Sequence, residues 1–521
     1  MCNTALHSFQ TFAEGSSHSN GNTIATFGLV NEMDLNTNSN VLGRIAESVG
    51  ATEPALRLLI SIFLGYPLAI FYRIRIQRQS KLINHLYILT SGLLICLFNY
   101  GWLIYHSLTA VLVSYAFILL FNGNILILTT LLFHMIYLLV GYYTTATETY
   151  DITWTMPHCV LTLRLIGLAF DIADGQRSID KLSATQKLSC IQQKPNLLEI
   201  AAFTYFPASF LVGPQFSFRR YTNFINKEYI MYGGSLEAGA KRAAIGTCYL
   251  IVNVVGSGYL NDKYVISDDF SQNHGILMRM LLIGIWGRIT LYKYISCWIL
   301  TESVAICFGL TYNGTDKDGN ADWSGCSNIK LMVFENTKRF QHYIDSFNVQ
   351  TNHWVAEYVY KRLRFLNNRT YSQLGALIFL ALWHGFHSGY YMCFTMEYFV
   401  MNFEREMAPI FTKSEKFQKF ADTFVGQILI WIILKLYTII GMGWCVAPLA
   451  LLGYNRWWPL YRSLWFFGYI LWLPWPIYKP ILKQLLGDST AKKIGKTHTI
   501  IIIIIIIIII INYYYFTNRH S

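Results

Sequence analysis

Charged side chains are scarce in this chain. Asp, Glu, Lys and Arg make up 13% of its 521 residues, whereas 54% of the residues are hydrophobic. Soluble domains usually carry about 25% charged residues, and single soluble cores rarely grow beyond about 250–300 residues. Because the apolar residues also fall in long unbroken blocks, the composition excludes an ordinary water-soluble protein and predicts a chain that crosses a membrane several times.

Metal-binding, disulfide and nucleic-acid signatures are lacking as well. The ten cysteines are mostly isolated, with neither paired metal-ligand spacing nor a small secreted framework. The net charge is +12, but Lys and Arg occur in short stretches between apolar blocks and not on one basic module, which argues against nucleic-acid binding. The first fifty residues have no basic stretch followed by an apolar one, so no cleaved signal peptide is predicted.

The chain contains a series of long apolar blocks. About 20 apolar residues cross a bilayer core, and about ten or eleven candidate spans follow residue 55. We therefore predict an all-α polytopic transmembrane protein. Several candidate spans contain proline or arginine, and such helices persist at membrane depth only against protein or a wet cavity. The helices are thus expected to enclose an intramembrane reaction chamber.

Composition shifts divide the chain into three segments. Residues 1–54 are rich in Ser, Asn, Thr and Gly, which predicts a disordered polar tail. Residues 55–487 hold the apolar blocks and form the predicted membrane domain. Residues 488–521 contain twelve consecutive isoleucines, from Ile500 to Ile511. They are predicted to be a low-complexity tail, because the run is too short and too uniform for a convincing span.

His384 is the first candidate for chemistry. It lies in the apolar segment ALWHGFHSGYY, residues 381–391, where an ionisable side chain costs roughly 3 kcal/mol or more if charged and therefore indicates function. A neutral imidazole can accept a proton, so His384 is a candidate general base. A histidine that only joins two helices is the alternative. His384 and His387 stand three residues apart, as metal ligands on one helical face can, but further ligands are lacking nearby and no metal site is predicted.

Asn348 and Asn352 form a second candidate group, four residues apart in the segment NVQTNHW. Asparagine offers a donor and an acceptor without a charge that a low dielectric would penalise. Most such asparagines, however, form turns or helix caps. Asn348 precedes His384 by 36 residues (384 minus 348), a distance of roughly 54 Å along a continuous helix, so the chain must fold back to join them.

Several motifs in order resemble the membrane-bound O-acyltransferase family over about residues 60 to 485. They are Trp383-His-Gly385, followed by Ser-Gly-Tyr-Tyr391, and the earlier Asn348-x-x-Thr351-x-x-Trp354. Two further segments, Gly213-Pro-Gln-Phe-Ser217 and Tyr292-Lys-Tyr294, are similar to the branch of this family that acts on lysophospholipids.

The resemblance implies an enzyme of the endoplasmic reticulum membrane. Its expected reaction is acyl transfer from acyl-CoA, a co-substrate and not a cofactor, to the sn-2 hydroxyl of lysophospholipids. The expected acceptors are lysophosphatidylcholine and also lysophosphatidylserine or lysophosphatidylethanolamine, with membrane lipid as the surrounding partner. His384 is expected to act as the base and Asn348 as a positioning group. The residues expected to bind substrate are Trp383, His387, Asn352, Tyr391, Gly213 and Tyr292.

Two other functions share these features. An enzyme of the same family that acylates a protein or peptide would use the same histidine and asparagine. A membrane transporter would share the spans and the broken helices, but the chain shows no evident internal repeat and no acidic relay within its spans. Four basic residues could meet coenzyme phosphates, although a bias of positive residues toward the cytoplasmic face explains each equally well. These are Arg219, Arg220, Lys361 and Arg362.

Overall fold

The computed structural model describes residues 41–48, 51–147 and 152–486. The predicted tail at 488–521 and residues 1–40 of the predicted N-terminal tail lie outside the described residues. Within the segment predicted as a polar tail, residues Val41–Ser48 form a helix, α1. The chain divides into two units between Glu53 and Pro54, and all the residues discussed below belong to the second.

The second unit is built from helices. In its first half they are α2 Glu53–Phe71, α3 Lys81–Tyr100, α4 Ile104–Leu120, α5 Gly123–Thr145, α6 Thr155–Gly175, α7 Ala184–Ser189, α8 Leu197–Thr204, α9 Phe218–Ile225, α10 Ser235–Tyr259, α11 Asp262–Val265 and α12 Asp268–Asn273. In its second half they are α13 Ile276–Phe308, α14 Leu331–Glu335, α15 Phe340–Ser346, α16 Val349–Val355, α17 Arg369–His384, α18 Ser388–Lys413, α19 Glu415–Ala421, α20 Phe424–Leu451, α21 Tyr454–Ser463, α22 Phe467–Trp472 and α23 Trp475–Leu485.

The predicted all-α class is confirmed, because the described residues contain isolated bridges but no strand. Among the described residues, six helical segments are long and apolar enough to cross a membrane. The longest, Lys81–Leu120, joins α3 and α4 through a 3-10 turn. The candidate spans that hydropathy predicts at 82–104 and 108–121 thus belong to one helical segment. The six segments are Glu53–Ile76, Lys81–Leu120, Gly123–Thr145, Thr155–Gly175, Ile276–Phe308 and Phe424–Leu451. The chain is thus a multi-pass membrane protein, and the count of ten or eleven spans stays a prediction.

The apolar block at residues 371–395, one of the candidate spans counted from the sequence, is interrupted and does not form one continuous helix. Helix α17 ends at His384, and Gly385 follows with φ 117° and ψ −159°, a conformation essentially restricted to glycine. Helix α18 then begins at Ser388. His384 and His387 therefore do not share one helical face. The described residues also contain no group of three or more His, Cys, Asp or Glu side chains that could hold a metal ion.

Helices α13 and α20 cross at glycines. A Cβ atom added at Gly287 would lie 2.6 Å from the Cα atom of Gly443, and one added at Gly443 would lie 2.2 Å from the Ile283 carbonyl oxygen. Small residues at a crossing let two membrane helices approach until their backbones touch. Because α20 also packs against α18, this crossing sets the position of the helix that follows His384.

We expect Gly443→Val to destabilise the folded protein by about 1–3 kcal/mol, because the added methyl groups must push α13 and α20 apart. The melting temperature in detergent, followed by the loss of the monodisperse peak on size exclusion, measures the effect. Gly258→Val is the matched control, since a Cβ atom at this helical glycine of α10 meets nothing within 4 Å. Equal melting temperatures for the two variants would contradict the proposed contact.

Candidate active site

His384 lies at the C-terminal end of α17 among aromatic rings. The ring centroids of Trp383, Tyr390 and Phe394 lie 4.6, 5.3 and 5.2 Å from that of the imidazole. Tyr390 and Phe394 stand four residues apart on α18, so they present one face of that helix to the histidine. The imidazole is half-buried and is surrounded mainly by apolar groups.

The hydrogen bond of His384 fixes which ring nitrogen can act as a base. Its Nδ1 atom lies 2.7 Å from the carbonyl oxygen of Leu380. A carbonyl oxygen only accepts hydrogen bonds, so Nδ1 must carry the proton. In the neutral ring the lone pair is then on Nε2, and no described group donates to that atom. The site therefore holds a histidine whose free nitrogen can take up a proton.

Trp383 fixes the end of α17 against neighbouring helices. Its indole Nε1 donates to the carbonyl oxygen of Cys159 on α6 at 2.9 Å, and its own carbonyl accepts from the Tyr142 hydroxyl at 3.2 Å. The side chain is buried, together with Leu138, Ile166 and other residues of a small apolar cluster. Because His384 is the next residue, these contacts hold the imidazole in a fixed place.

Asn348 precedes α16 in a left-handed backbone conformation, with φ 52° and ψ 42°. Asparagine tolerates this conformation better than most residues that carry a Cβ atom. Its Oδ1 atom accepts from Nδ2 of Asn328 at 3.2 Å. No hydrogen bond joins Asn348 to His384 in the part of the chain that the structure describes. Asn348, the expected positioning group, therefore does not orient the imidazole through a hydrogen bond. The carbonyl oxygen of Leu380 orients it instead.

A row of three aromatic side chains, Tyr294, Trp298 and Phe347, leads from α13 to Asn348. The Tyr294 ring centroid lies 6.1 Å from that of Trp298, which in turn lies 4.9 Å from that of Phe347, the residue before Asn348. The helices themselves also meet, because Trp354 of α16 stacks on Phe379 of α17 at 5.7 Å.

Three of the residues predicted to bind substrate lie near Asn348 or near His384. The Asn352 Nδ2 atom donates to the carbonyl oxygens of Ile344 and Phe347, both at 3.0 Å, and so fixes the turn before Asn348. The half-buried His387 packs 6.0 Å from Tyr390. Tyr391 is 36% exposed, because the helical register after the break turns it away. The structure gives Tyr390, and not Tyr391, the position beside the imidazole.

The other two predicted binding residues belong to different surroundings. The Tyr292 hydroxyl donates to a carboxylate oxygen of Glu335 at 3.3 Å, which ties α13 to α14. Gly213 lies in the loop between α8 and α9, and this loop is held by the buried Arg164 of α6. Arg164 donates to the carbonyl oxygens of Phe203, Thr204, Ser209 and Pro214, among others.

A cavity of about 410 Å³ opens beside this loop, within the range of about 300–1,000 Å³ that is usual for small-molecule sites. Arg164, Arg219 and Arg220 line one part of it, and Gln350 and Trp354 of α16 line another. The cavity therefore reaches the helix that begins directly after Asn348. Its lining combines arginines and aromatic surface with two carboxylates, Asp171, which accepts from Tyr358, and Glu357, which is paired with Lys361.

The four basic residues singled out in the sequence fall into two pairs. Arg362 forms a two-pronged ion pair with Asp174, and Lys361 is paired with Glu357. Arg219 and Arg220 instead donate to backbone carbonyls, for example that of Tyr312 at 2.6 Å from Arg220. Among the described residues no carboxylate lies within salt-bridge distance of Arg164, Arg219 or Arg220. These three arginines keep a positive charge that an anionic ligand can neutralise.

Asn328, Leu380 and Tyr390 are parts of the site that the sequence did not indicate. Asn328 is a single asparagine in a loop, and the role of Leu380 depends on its backbone carbonyl, so neither carries a sequence signal. Tyr390 could have been found by placing the start of α18 after Gly385.

Comparison with known proteins gives consistent results. Residues 139–446 match the model of the membrane-bound O-acyltransferase family. A Drosophila melanogaster protein named lysophospholipid acyltransferase 5 is 45% identical over 471 residues, which cover 89% of this chain and 94% of that protein. Proteins of the same name from Homo sapiens and Caenorhabditis elegans are 43% and 32% identical. Those alignments cover 83% and 86% of this chain, and 90% and 96% of the respective relatives.

Proposed function

Because the chain belongs to the membrane-bound O-acyltransferase family, we propose that it transfers an acyl group from a coenzyme A thioester to the sn-2 hydroxyl of a lysophospholipid. That the protein is an O-acyltransferase follows from the family and from its named relatives. The lysophospholipid acceptor is supported by the name that these relatives share. We further propose lysophosphatidylcholine as the preferred acceptor and the endoplasmic reticulum as the resident membrane.

The single observation that carries the proposed chemistry is the state of His384. The Nδ1–H group donates a hydrogen bond to the Leu380 carbonyl oxygen, so Nε2 is the basic atom. Nε2 takes the proton of the acceptor hydroxyl as its oxygen forms a bond to the thioester carbonyl carbon. The carbon–sulfur bond then breaks, and the imidazolium returns the proton to the departing thiolate. General base catalysis of this kind contributes on the order of 100- to 10,000-fold in rate.

Asn348 supplies the second group of the proposed mechanism. Its amide stabilises the negative charge that develops on the thioester oxygen as the hydroxyl attacks. A neutral donor suits this role in a site of low dielectric constant, because it adds no buried charge that needs a partner. The stacking of Trp354 on Phe379, which joins α16 to α17, supports a chamber that both groups border.

Coenzyme A requires a polar site for its phosphates. We assign them to the cavity of about 410 Å³, where the charges of Arg164, Arg219 and Arg220 are not neutralised by a described carboxylate. The cavity also contacts α16, so a thioester whose phosphates sit there could extend toward Asn348. The acyl chain and the lysolipid would occupy the apolar part of the chamber.

The arginines lead to a prediction about acyl-CoA binding. We expect Arg219→Gln and Arg220→Gln each to raise the KM for acyl-CoA about tenfold or more with a small change in kcat, because each removes a charge-assisted contact. Steady-state kinetics at low ionic strength measures the change. Lys241→Gln is the control, since Lys241 is an exposed side chain paired with Glu237 on α10 and neither residue lines the cavity. An equal rise in KM for Lys241→Gln would exclude the assignment.

An acyl-transfer assay tests the proposed function as a whole. Purified protein in nanodiscs is given a panel of lysophospholipids and acyl-CoAs, with a peptide acceptor as a separate arm. Phospholipid formation by the wild type and not by His384→Ala supports the proposal. Transfer to the peptide in place of the lysolipid would replace the acceptor class. Co-localisation of the tagged protein with a marker of the endoplasmic reticulum tests the resident membrane.

A further inference from the structure

Asn328 holds three consecutive residues at the start of α16. Its side chain is buried, with 4% exposure. Its backbone carbonyl accepts from Val349 N at 3.0 Å, and its Oδ1 atom accepts from Gln350 N, also at 3.0 Å. Its Nδ2 atom donates to Oδ1 of Asn348 at 3.2 Å. One asparagine thus connects the loop at residues 324–329 to the proposed catalytic asparagine.

These bonds fix the direction of the Asn348 amide. The backbone N–H of Gln350 can only donate, so the atom of Asn328 that faces it must be the oxygen. The other end of the Asn328 amide is then the NH₂ group, and the atom of Asn348 that faces it must be the Asn348 oxygen. Because a backbone N–H cannot accept a hydrogen bond, its contact determines the orientation of both amides.

The NH₂ group of Asn348 is consequently left free. Within the described residues no group accepts a hydrogen bond from it. Asn348 is only half-buried, so the donor faces accessible space. A free donor beside the proposed chamber fits an acceptor that arrives with the substrate.

The loop that carries Asn328 is itself anchored. Arg242 of α10 donates from its guanidinium to the Ser327 hydroxyl at 3.3 Å and to the Ile329 carbonyl at 3.0 Å, on either side of Asn328. The same guanidinium is paired with the buried Glu302 of α13 through two bonds of 3.0 and 3.1 Å. Two long helices therefore hold this loop, as expected for a group whose orientation must not change during a reaction.

We propose that Asn328 is a positioning residue that sets the Asn348 amide with its NH₂ group toward the reacting carbonyl oxygen. Asn348 then acts as a hydrogen-bond donor to that oxygen and not as an acceptor. This inference rests on the proposed function, in which Asn348 takes part in acyl transfer.

Asn328→Asp should reverse the orientation of the Asn348 amide while keeping the hydrogen bond from the Gln350 N–H. One carboxylate oxygen still accepts from the Gln350 N–H, but the other now faces Asn348 and selects the opposite orientation of its amide. We expect kcat to fall about 100-fold, the cost of losing one preorganised donor, with the KM for acyl-CoA within about threefold of the wild type.

The double variant Asn328→Asp/Asn348→Ala should be no slower than Asn348→Ala, because the effects of residues that act as one unit are not additive. Independent, additive losses would mark Asn328 as merely structural.

Asn348→Asp tests the same inference without changing Asn328. The new carboxylate can still accept from Asn328 but has no NH₂ group, so we expect an inactive protein. Activity near the wild-type level would overturn the donor role. This variant keeps the inference testable if Asn328→Asp protein does not fold, as judged by size exclusion. The exposed Asn273→Asp, at the end of α12 and outside the loop that carries Asn328, is the control for the added charge and should keep full activity.

His384→Ala and Asn348→Ala, assayed alongside, distinguish a failure of the proposed function from a failure of the role proposed for Asn328. If the wild type forms no phospholipid, the proposed function fails. If the wild type and both variants are equally active, the proposed roles of His384 and Asn348 fail while the function stands. If both are inactive while Asn328→Asp has the wild-type kcat, only the role of Asn328 is refuted.

Discussion

His384→Ala is expected to yield a folded membrane protein whose acyl transfer falls on the order of 100- to 10,000-fold, the usual contribution of a general base. Without Nε2, no described group at the same position can take the proton of the attacking hydroxyl. The measurement is phospholipid formation per mole of protein, with folding checked by size exclusion in detergent.

The tautomer allows a sharper version of this experiment. His384→Asn keeps an NH₂ group that can donate to the Leu380 carbonyl, as Nδ1 does, but has no basic nitrogen. It should therefore fold well and be as inactive as His384→Ala. His274→Ala is a matched control, because the His274 ring packs on Tyr264 and Phe270, away from the proposed machinery. Substantial activity of the purified His384→Asn protein would refute the base role.

Asn348→Ala is expected to lower kcat by roughly 100- to 1,000-fold, the loss found when one preorganised donor to a developing oxyanion is removed. The KM for acyl-CoA should change little, because the stabilised charge exists only in the transition state. Separate titrations of acyl-CoA and lysolipid in the same assay distinguish the two parameters.

The backbone of Asn348 requires its own control. Its left-handed conformation is costly for alanine, roughly 1–2 kcal/mol, so the loss in Asn348→Ala could come from strain. Asn348→Gly removes the amide but adopts this conformation without strain. We expect Asn348→Gly to be as inactive as Asn348→Ala. Recovery of activity in the glycine variant would assign the effect to the backbone and not to the amide.

The sequence predicted the all-α class correctly, because apolar blocks of about 20 residues predict membrane-spanning helices. It did not predict the break after His384. Gly385 lies in a segment whose apolar character continues on both sides, and hydropathy does not distinguish a helical glycine from one with φ 117°. Because the break is not predicted, the register of the next helix is not predicted either, and nothing in the sequence indicates that Tyr390 and not Tyr391 packs on the imidazole.

Contacts between distant residues account for the rest of what the sequence could not show. Four basic residues looked equivalent, yet Arg362 is neutralised by Asp174, which lies 188 residues away in the chain, whereas Arg219 and Arg220 are not. Likewise, Asn328 gains its place beside Asn348 from a loop anchored by Arg242 and Glu302. Only folding determines which charges are paired and which amide is fixed.

The position of His384 as the last residue of α17 affects how the reaction's positive charge is carried. The described residues place no carboxylate on its ring, so no acidic side chain balances the imidazolium that forms when Nε2 is protonated. The C-terminal end of a helix has a partial negative charge that stabilises a nearby cation, by up to about 2 kcal/mol when partly buried. Helix α17 thereby acts as a transient counterion made of peptide dipoles, and the resting site needs no permanent anion that would repel an incoming phosphate.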